Sequence, residues 1–241
     1  MNGLKRLSLA LATAGALVSG SAQAGLESRA GGTMLYDNVL NITWLADANY
    51  AKTSVYDADG LMSWNAANTW AANLVFGGYD DWRLAANSPV GVDWNTNYSP
   101  AGTTDSGYNI TSTHSELSYM YHVNLSLKSS RFPSGNFQTG YGVHGNGTTG
   151  GQANVGLVNN LQSNVYWSGT AYPGLGGQAF GFDTGPGSQG LYDRTSERYA
   201  WAVRSGDVAA PIPEPETYAM MLAGLALLGV AARRRKQKLM A

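Results

Sequence analysis

The two apolar runs of this chain lie at its extreme ends, and that placement constrains the fold more than any other feature. Leu7 to Val18 is the first, preceded by Lys5 and Arg6. Thr217 to Ala232 is the second, uncharged throughout and followed at once by Arg233-Arg234-Arg235-Lys236. A terminal apolar run bounded by basic residues suits a bilayer better than a globular interior. A folded core must therefore be built from the residues between them, roughly 25–215.

The first run has the length of a secretory h-region and is short for a spanning helix. Ala22-Gln23-Ala24 supplies the small-x-small cleavage pattern, so cleavage between Ala24 and Gly25 is expected. The second run would span roughly 24 Å as a helix, slightly less than the ~30 Å hydrocarbon core. Snorkelling of the Arg233, Arg234, Arg235 and Lys236 stems can close that gap, and the positive-inside rule keeps this cluster cytoplasmic. Pro213-Glu214-Pro215 stands just outside, held extended by its prolines.

Pro-Glu-Pro, a short apolar helix and a closing Arg cluster resemble the PEP-CTERM sorting signal of Gram-negative bacteria that make exopolysaccharide. The resemblance implies an exosortase partner, a membrane protease-transpeptidase that recognises the tripeptide. It also implies an inner-membrane intermediate followed by release to the cell surface or extracellular matrix. The expected organisation is a signal peptide at 1–24, a domain at 25–208, a proline-rich linker at 209–216, and an anchoring helix with its basic tail at 217–238.

Composition narrows what the middle can do. Eight basic and fifteen acidic residues lie between Gly25 and Pro215, a net charge near −7 that disfavours nucleic acid as partner. There is no cysteine, which excludes disulfides, thiolate metal sites and cysteine nucleophiles. An exported domain of this kind must be held by its own core.

Periodicity predicts an α+β domain with two helices and about six short antiparallel strands. The first helix is expected over Leu61 to Phe76, ended by Gly77-Gly78. The second is expected after Thr113-His114-Ser115-Glu116, which has capping-box spacing. Strands are expected at Met34-Leu35-Tyr36, Ile42 to Leu45, Tyr79 to Leu84, Val165 to Trp167, Ala179 to Phe182 and Tyr199 to Arg204. Residues 86–112 and 129–160 are expected to be long loops.

Four segments occur in a fixed order: Gly77-Gly78-Tyr79-Asp80-Asp81-Trp82-Arg83-Leu84, Ser115-Glu116-Leu117, Tyr166-Trp167-Ser168-Gly169-Thr170 and Tyr199-Ala200-Trp201-Ala202-Val203-Arg204. Together they resemble a bacterial domain of unknown function also found at the C-terminus of the Legionella collagen-like adhesin. The similarity covers roughly residues 33 to 208. It implies a C-type-lectin-like fold and, for some members, binding of sulfated polysaccharide. Ala85 and Ser205 stand where that family usually has proline.

No catalytic motif emerges. Gly140 to Gly145 and Gly145 to Gly150 match a dinucleotide fingerprint by spacing, but no helix pattern follows either. Asp57-Ala58-Asp59-Gly60 resembles the start of a calcium loop without its third ligand or closing Glu, so calcium is a minor expectation and no other cofactor is implied. His114, His122 and His144 do not share a helical face. Trp82, Trp167, Trp201, Arg83 and Arg204 are expected to be structural. Trp94, Tyr98, Tyr108, Tyr141 and Tyr172 fall in polar loops, where aromatics can stack on sugar rings. The expected function is a non-enzymatic surface module for extracellular polysaccharide. The alternatives are a hydrolase of extracellular polymer and a purely structural matrix protein.

Overall fold

Asp37 turns the chain early: its Oδ1 accepts the amides of Val39 and Leu40, both at 2.9 Å. This joins β2 (Met34–Asp37) to β3 (Ile42–Leu45) in an antiparallel pair. All four residues of β3 are buried, the mark of a strand covered on both faces. β1 (Leu26–Arg29) adds at the edge, with Glu27 and Ser28 exposed. The computed structural model describes residues 25–174 and 176–208. The expected signal peptide and anchoring helix, with the Pro213-Glu214-Pro215 segment and the basic cluster, lie outside the described residues.

The remaining elements follow in chain order. Helix α1 (Tyr50–Thr53) leads to β4 (Leu61–Met62), α2 (Trp64–Ala72) and β5 (Arg83–Leu84). Then come β6 (Tyr98–Ser99), β7 (Ser106–Tyr108) and α3 (Glu116–Tyr119), which continues as a π-helical turn over Met120–Asn124. The chain closes with β8 (Gln152–Val155), β9 (Val158–Gln162), β10 (Val165–Ala171), β11 (Gln178–Asp183), β12 (Ser188–Asp193), β13 (Arg198–Tyr199) and β14 (Ala202–Ser205). One sheet has the order β1-β2-β3-β14-β5, the other β4-β13-β10-β11-β12-β7-β6, and β8 pairs with β9.

The domain is thus mostly β, with few and short helices, and richer in strands than its periodicity suggests. Strands of two or three residues, such as β4 and β7, are too short to show an alternating pattern. Two pairings, β6–β7 and β10–β13, are parallel rather than antiparallel. The segment Tyr199 to Arg204 is not one strand. Tyr199 pairs in the larger sheet and Ala202 in the smaller, with Trp201 at the crossing between them.

Both expected helices are shorter than their patterns. Ser63 caps α2, its Oγ accepting Ala66 N, so Leu61 and Met62 are left to pair with β13. Leu74 to Phe76 lie beyond its end. Gly77 and Gly78 form a two-residue hairpin turn, both at positive φ, with Phe76 and Tyr79 exchanging amide-to-carbonyl bonds. A Cβ on Gly77 would run into Met34 Cε. The capping box does not form: α3 starts from Ser115, and Glu116 binds Arg83 instead of reaching back to Thr113.

The four ordered segments converge around β5. Arg83 and Leu84 pair with Val203 and Ala202. Glu116 takes Arg83 in a two-pronged ion pair at 2.7 and 2.8 Å and accepts Ala86 N. Gly169 N donates to Ala85 O at 2.8 Å. Trp82, Trp167 and Trp201 are buried, and Arg204 is paired with Asp81, so these residues have the structural places expected of them.

The segment 86–112 contains two strands and is held by Asp105, which is buried. Its Oδ1 accepts Val90 N and its Oδ2 accepts Asn95 N, both at 2.7 Å. Asp105→Asn would turn an amide donor toward one of those N–H groups. The expected cost is about 2–4 kcal/mol, read as a lower urea midpoint with an unchanged slope.

Candidate functional site

Three segments meet at Tyr50. The first is the start of α1, where Asp47 Oδ1 accepts Asn49 N at 2.8 Å and orients the helix entry. The second is the exit of α2 through Asn73 to Phe76, closed by the Gly77-Gly78 hairpin. The third is β9, stitched to the end of β3 by Ala48 N to Asn159 O at 2.9 Å and Asn159 N to Ala46 O at 2.7 Å. Phe76 meets the Tyr50 ring edge-on at 4.9 Å and Trp82 at 6.0 Å, which fixes the Tyr50 ring from behind.

Two grooves adjoin this ring. One, of about 240 Å3, is lined by Thr33, Leu45, Asp47, Tyr50, Phe76 and Asn159 among others. The second, of about 310 Å3, is lined by Tyr50, Ser54, Tyr56, Trp70, Asn73 and Val75 with Leu74. Together they fall in the ~300–1,000 Å3 range of small-ligand sites. Asp47 is the single charged group in either lining. Its Oδ2 also accepts Asn160 Nδ2 at 3.0 Å.

The rim carries backbone strain. Val55 is 86% exposed and sits at φ 61°, a left-handed conformation that a β-branched residue adopts at a cost. It lies between Ser54 and Tyr56, so this turn sets how both face the second groove. Val55→Gly is expected to stabilise the domain by about 1 kcal/mol, a rise in Tm of roughly 2–4 °C by calorimetry. Failure to stabilise would mean that the strain released does not exceed the entropy that glycine adds to the unfolded chain.

The five aromatics expected to stack on sugars do not gather here. Trp94 stacks on Phe180 at 4.8 Å, and Tyr172 meets the same ring edge-on at 5.8 Å. Tyr98 and Tyr108 form a separate pair at 5.8 Å, with Tyr98 exposed. Tyr141 is half-buried with its ring against Gly147. Loop polarity identifies aromatics near solvent but carries no information on which turns converge. Asp47-Ala48-Asn49-Tyr50 has no motif, so nothing in the sequence marks the Tyr50 grooves.

The other candidates have local partners. Asp57 Oδ1 accepts the amides of Asp59 and Gly60, forming the turn into β4 rather than into a helix. Among the described residues, no three His, Asp or Glu side chains gather as a metal site would require. His122 packs against Tyr121 and Phe182, and desolvation of its ring pushes the imidazole down to about 4, leaving it neutral. His114 Nδ1 contacts Pro89 O, and His144 Nε2 contacts Gly150 O at 3.2 Å.

No curated protein and no solved structure matches the chain. Residues 211–236 match the family model described as the PEP-CTERM protein-sorting motif. That span takes in Pro213-Glu214-Pro215, the apolar run and Arg233 to Lys236. The C-terminal segment is therefore a PEP-CTERM sorting motif, and it marks the chain as an exported surface protein sorted by an exosortase.

Proposed function

We propose that the domain at 25–208 is a non-enzymatic binding module for extracellular polysaccharide, with a C-type-lectin-like role, delivered to the surface or matrix of a Gram-negative cell. The observation that carries this reading is the pair of grooves at Tyr50. Aromatic walls beside carboxylate, amide and hydroxyl groups match a sugar ring, which has apolar C–H faces and a polar rim. The meeting of the four family-like segments at β5 also supports it. Exposed Tyr98, edge-on to half-buried Tyr108, offers a second aromatic surface for a long polymer. A hydrolase reading gains little from the cleft, since glycoside hydrolysis generally uses two carboxylates and these linings hold one.

The test is a glycan array probed with the full chain in a zwitterionic detergent, beside a turnover assay on the same glycans. Binding without turnover is expected. Turnover would sink the non-enzymatic reading, and a blank array with a blank assay would favour a purely structural matrix component.

A further inference from the structure

Accepting that the domain binds polysaccharide, we propose that the Tyr50 cleft takes a neutral glycan strand rather than a sulfated or uronic-acid polymer. The strand would lie across Tyr50 with sugar rings in both grooves. The argument is one of charge and availability. A sulfate or carboxylate on a sugar is recognised by guanidinium forks or ammonium groups. Neither groove lining contains a cation, and the charge that one of them does contain is the Asp47 carboxylate. A polyanion there would meet like charge at short range and, farther out, the field of a region with net charge near −7.

The guanidiniums elsewhere in the domain are already engaged. Arg29 binds Asp207 and Glu27, Arg83 binds Glu116, and Arg204 binds Asp81. Arg131, Arg194 and Arg198 lie over the rings of Phe137, Trp64 and Tyr192 at 3.8, 4.5 and 5.4 Å, each also donating to a backbone carbonyl. These six are all the arginines between residues 25 and 208. Two lysines, Lys52 and Lys128, are exposed, and neither lines a Tyr50 groove. Recruiting a guanidinium for a sulfate would first break an ion pair or a ring contact.

A neutral pyranose asks for something different. Its C–H face can lie on Tyr50 and Tyr56, and its hydroxyls can donate to Asp47 and exchange hydrogen bonds with Asn73 and Asn159. The exposed, strained Val55 at the rim fits a surface shaped for a ligand, because no packing of its own side chain offsets the strain.

The experiment is affinity electrophoresis and calorimetric titration of the full chain in a zwitterionic detergent. The probes are neutral hexasaccharides of glucose, mannose and N-acetylglucosamine, with dextran sulfate and polygalacturonate as the anionic set. At least one neutral probe should bind with an affinity that hardly changes from low to high salt. Tyr50→Ala and Tyr56→Ala should each weaken it about tenfold. Tyr56 is 58% exposed, so the second variant tests the cleft without disturbing the core. Salt-sensitive binding of the anionic set alone overturns the inference and leaves polysaccharide binding standing. Neutral binding that both variants retain overturns the cleft assignment. No binding to any probe removes this inference together with the function it rests on.

Discussion

Trp201→Ala is expected to lower the melting temperature by roughly 6–20 °C, corresponding to about 3–5 kcal/mol. Trp201 is 2% exposed and occupies the crossing where the chain leaves the seven-stranded sheet for the five-stranded one. Its ring packs against Trp44 at 4.8 Å and Tyr166 at 6.0 Å. Its Nε1 donates to Leu45 O at 2.8 Å. Truncation would open a cavity between the sheets and orphan a buried carbonyl, and the two losses act at one place. Because total stability in domains is of the order of 5–15 kcal/mol, a substantial unfolded population at growth temperature follows. Trp201→Phe keeps much of the volume but not the N–H, so it should fall between. Near-UV circular dichroism during a thermal ramp reads both. A Trp201→Ala melt within a few degrees of the parent would mean that the sheets are joined elsewhere.

The crossing at Trp201 also illustrates how much of this fold was legible. Tyr199 to Arg204 alternates well enough to predict an extended segment, and the segment is extended. The sequence does not reveal that its two ends pair in different sheets, because each half has only two or four residues in register. Helix α2 was visible through its apolar spacing, yet its start was misplaced. The Ser63 cap outweighs two apolar residues that pair better with β13. Thr113 to Glu116 has capping-box spacing, but Arg83, thirty-three residues upstream, competes for Glu116 and wins. A bidentate charged pair is worth more than one return bond to a backbone amide.

The site was less legible than the fold. Asp47 with Tyr50, Asn73 with Phe76, and Asn159 come from three separate stretches, and the stitching of β9 to Ala46, Asp47 and Ala48 brings the last to the first. Strained Val55 gives no warning in sequence, since nothing near it marks a left-handed turn. By contrast the sorting segment was fully legible. It acts as a linear motif, and its parts are contiguous in the chain.

That linear motif leads to the expected all-or-none result. A Glu214→Ala/Pro215→Ala chain should remain uncut and stay in the membrane fraction, while the parent loses its apolar segment and basic cluster. The folded domain fixes where the handle begins. β14 ends at Ser205, Val208 is buried, and Asp207 is held by Arg29 through Oδ1 at 2.8 Å and Oδ2 at 3.0 Å. Four residues, 209–212, separate Val208 from Pro213, so the motif stays within roughly 18 Å of the domain even if fully extended. A cut at the motif therefore leaves every described strand intact and removes the stretch suited to the bilayer. Mass spectrometry of the C-terminal peptide, with membrane and extracellular fractions compared, measures the outcome. Tyr56→Ala, which alters a groove and leaves the motif untouched, should be processed like the parent. If the double variant and the parent carry the same C-terminus, recognition of Pro213-Glu214-Pro215 is refuted. If Tyr56→Ala also stays uncut, sorting depends on the domain as well as on the motif.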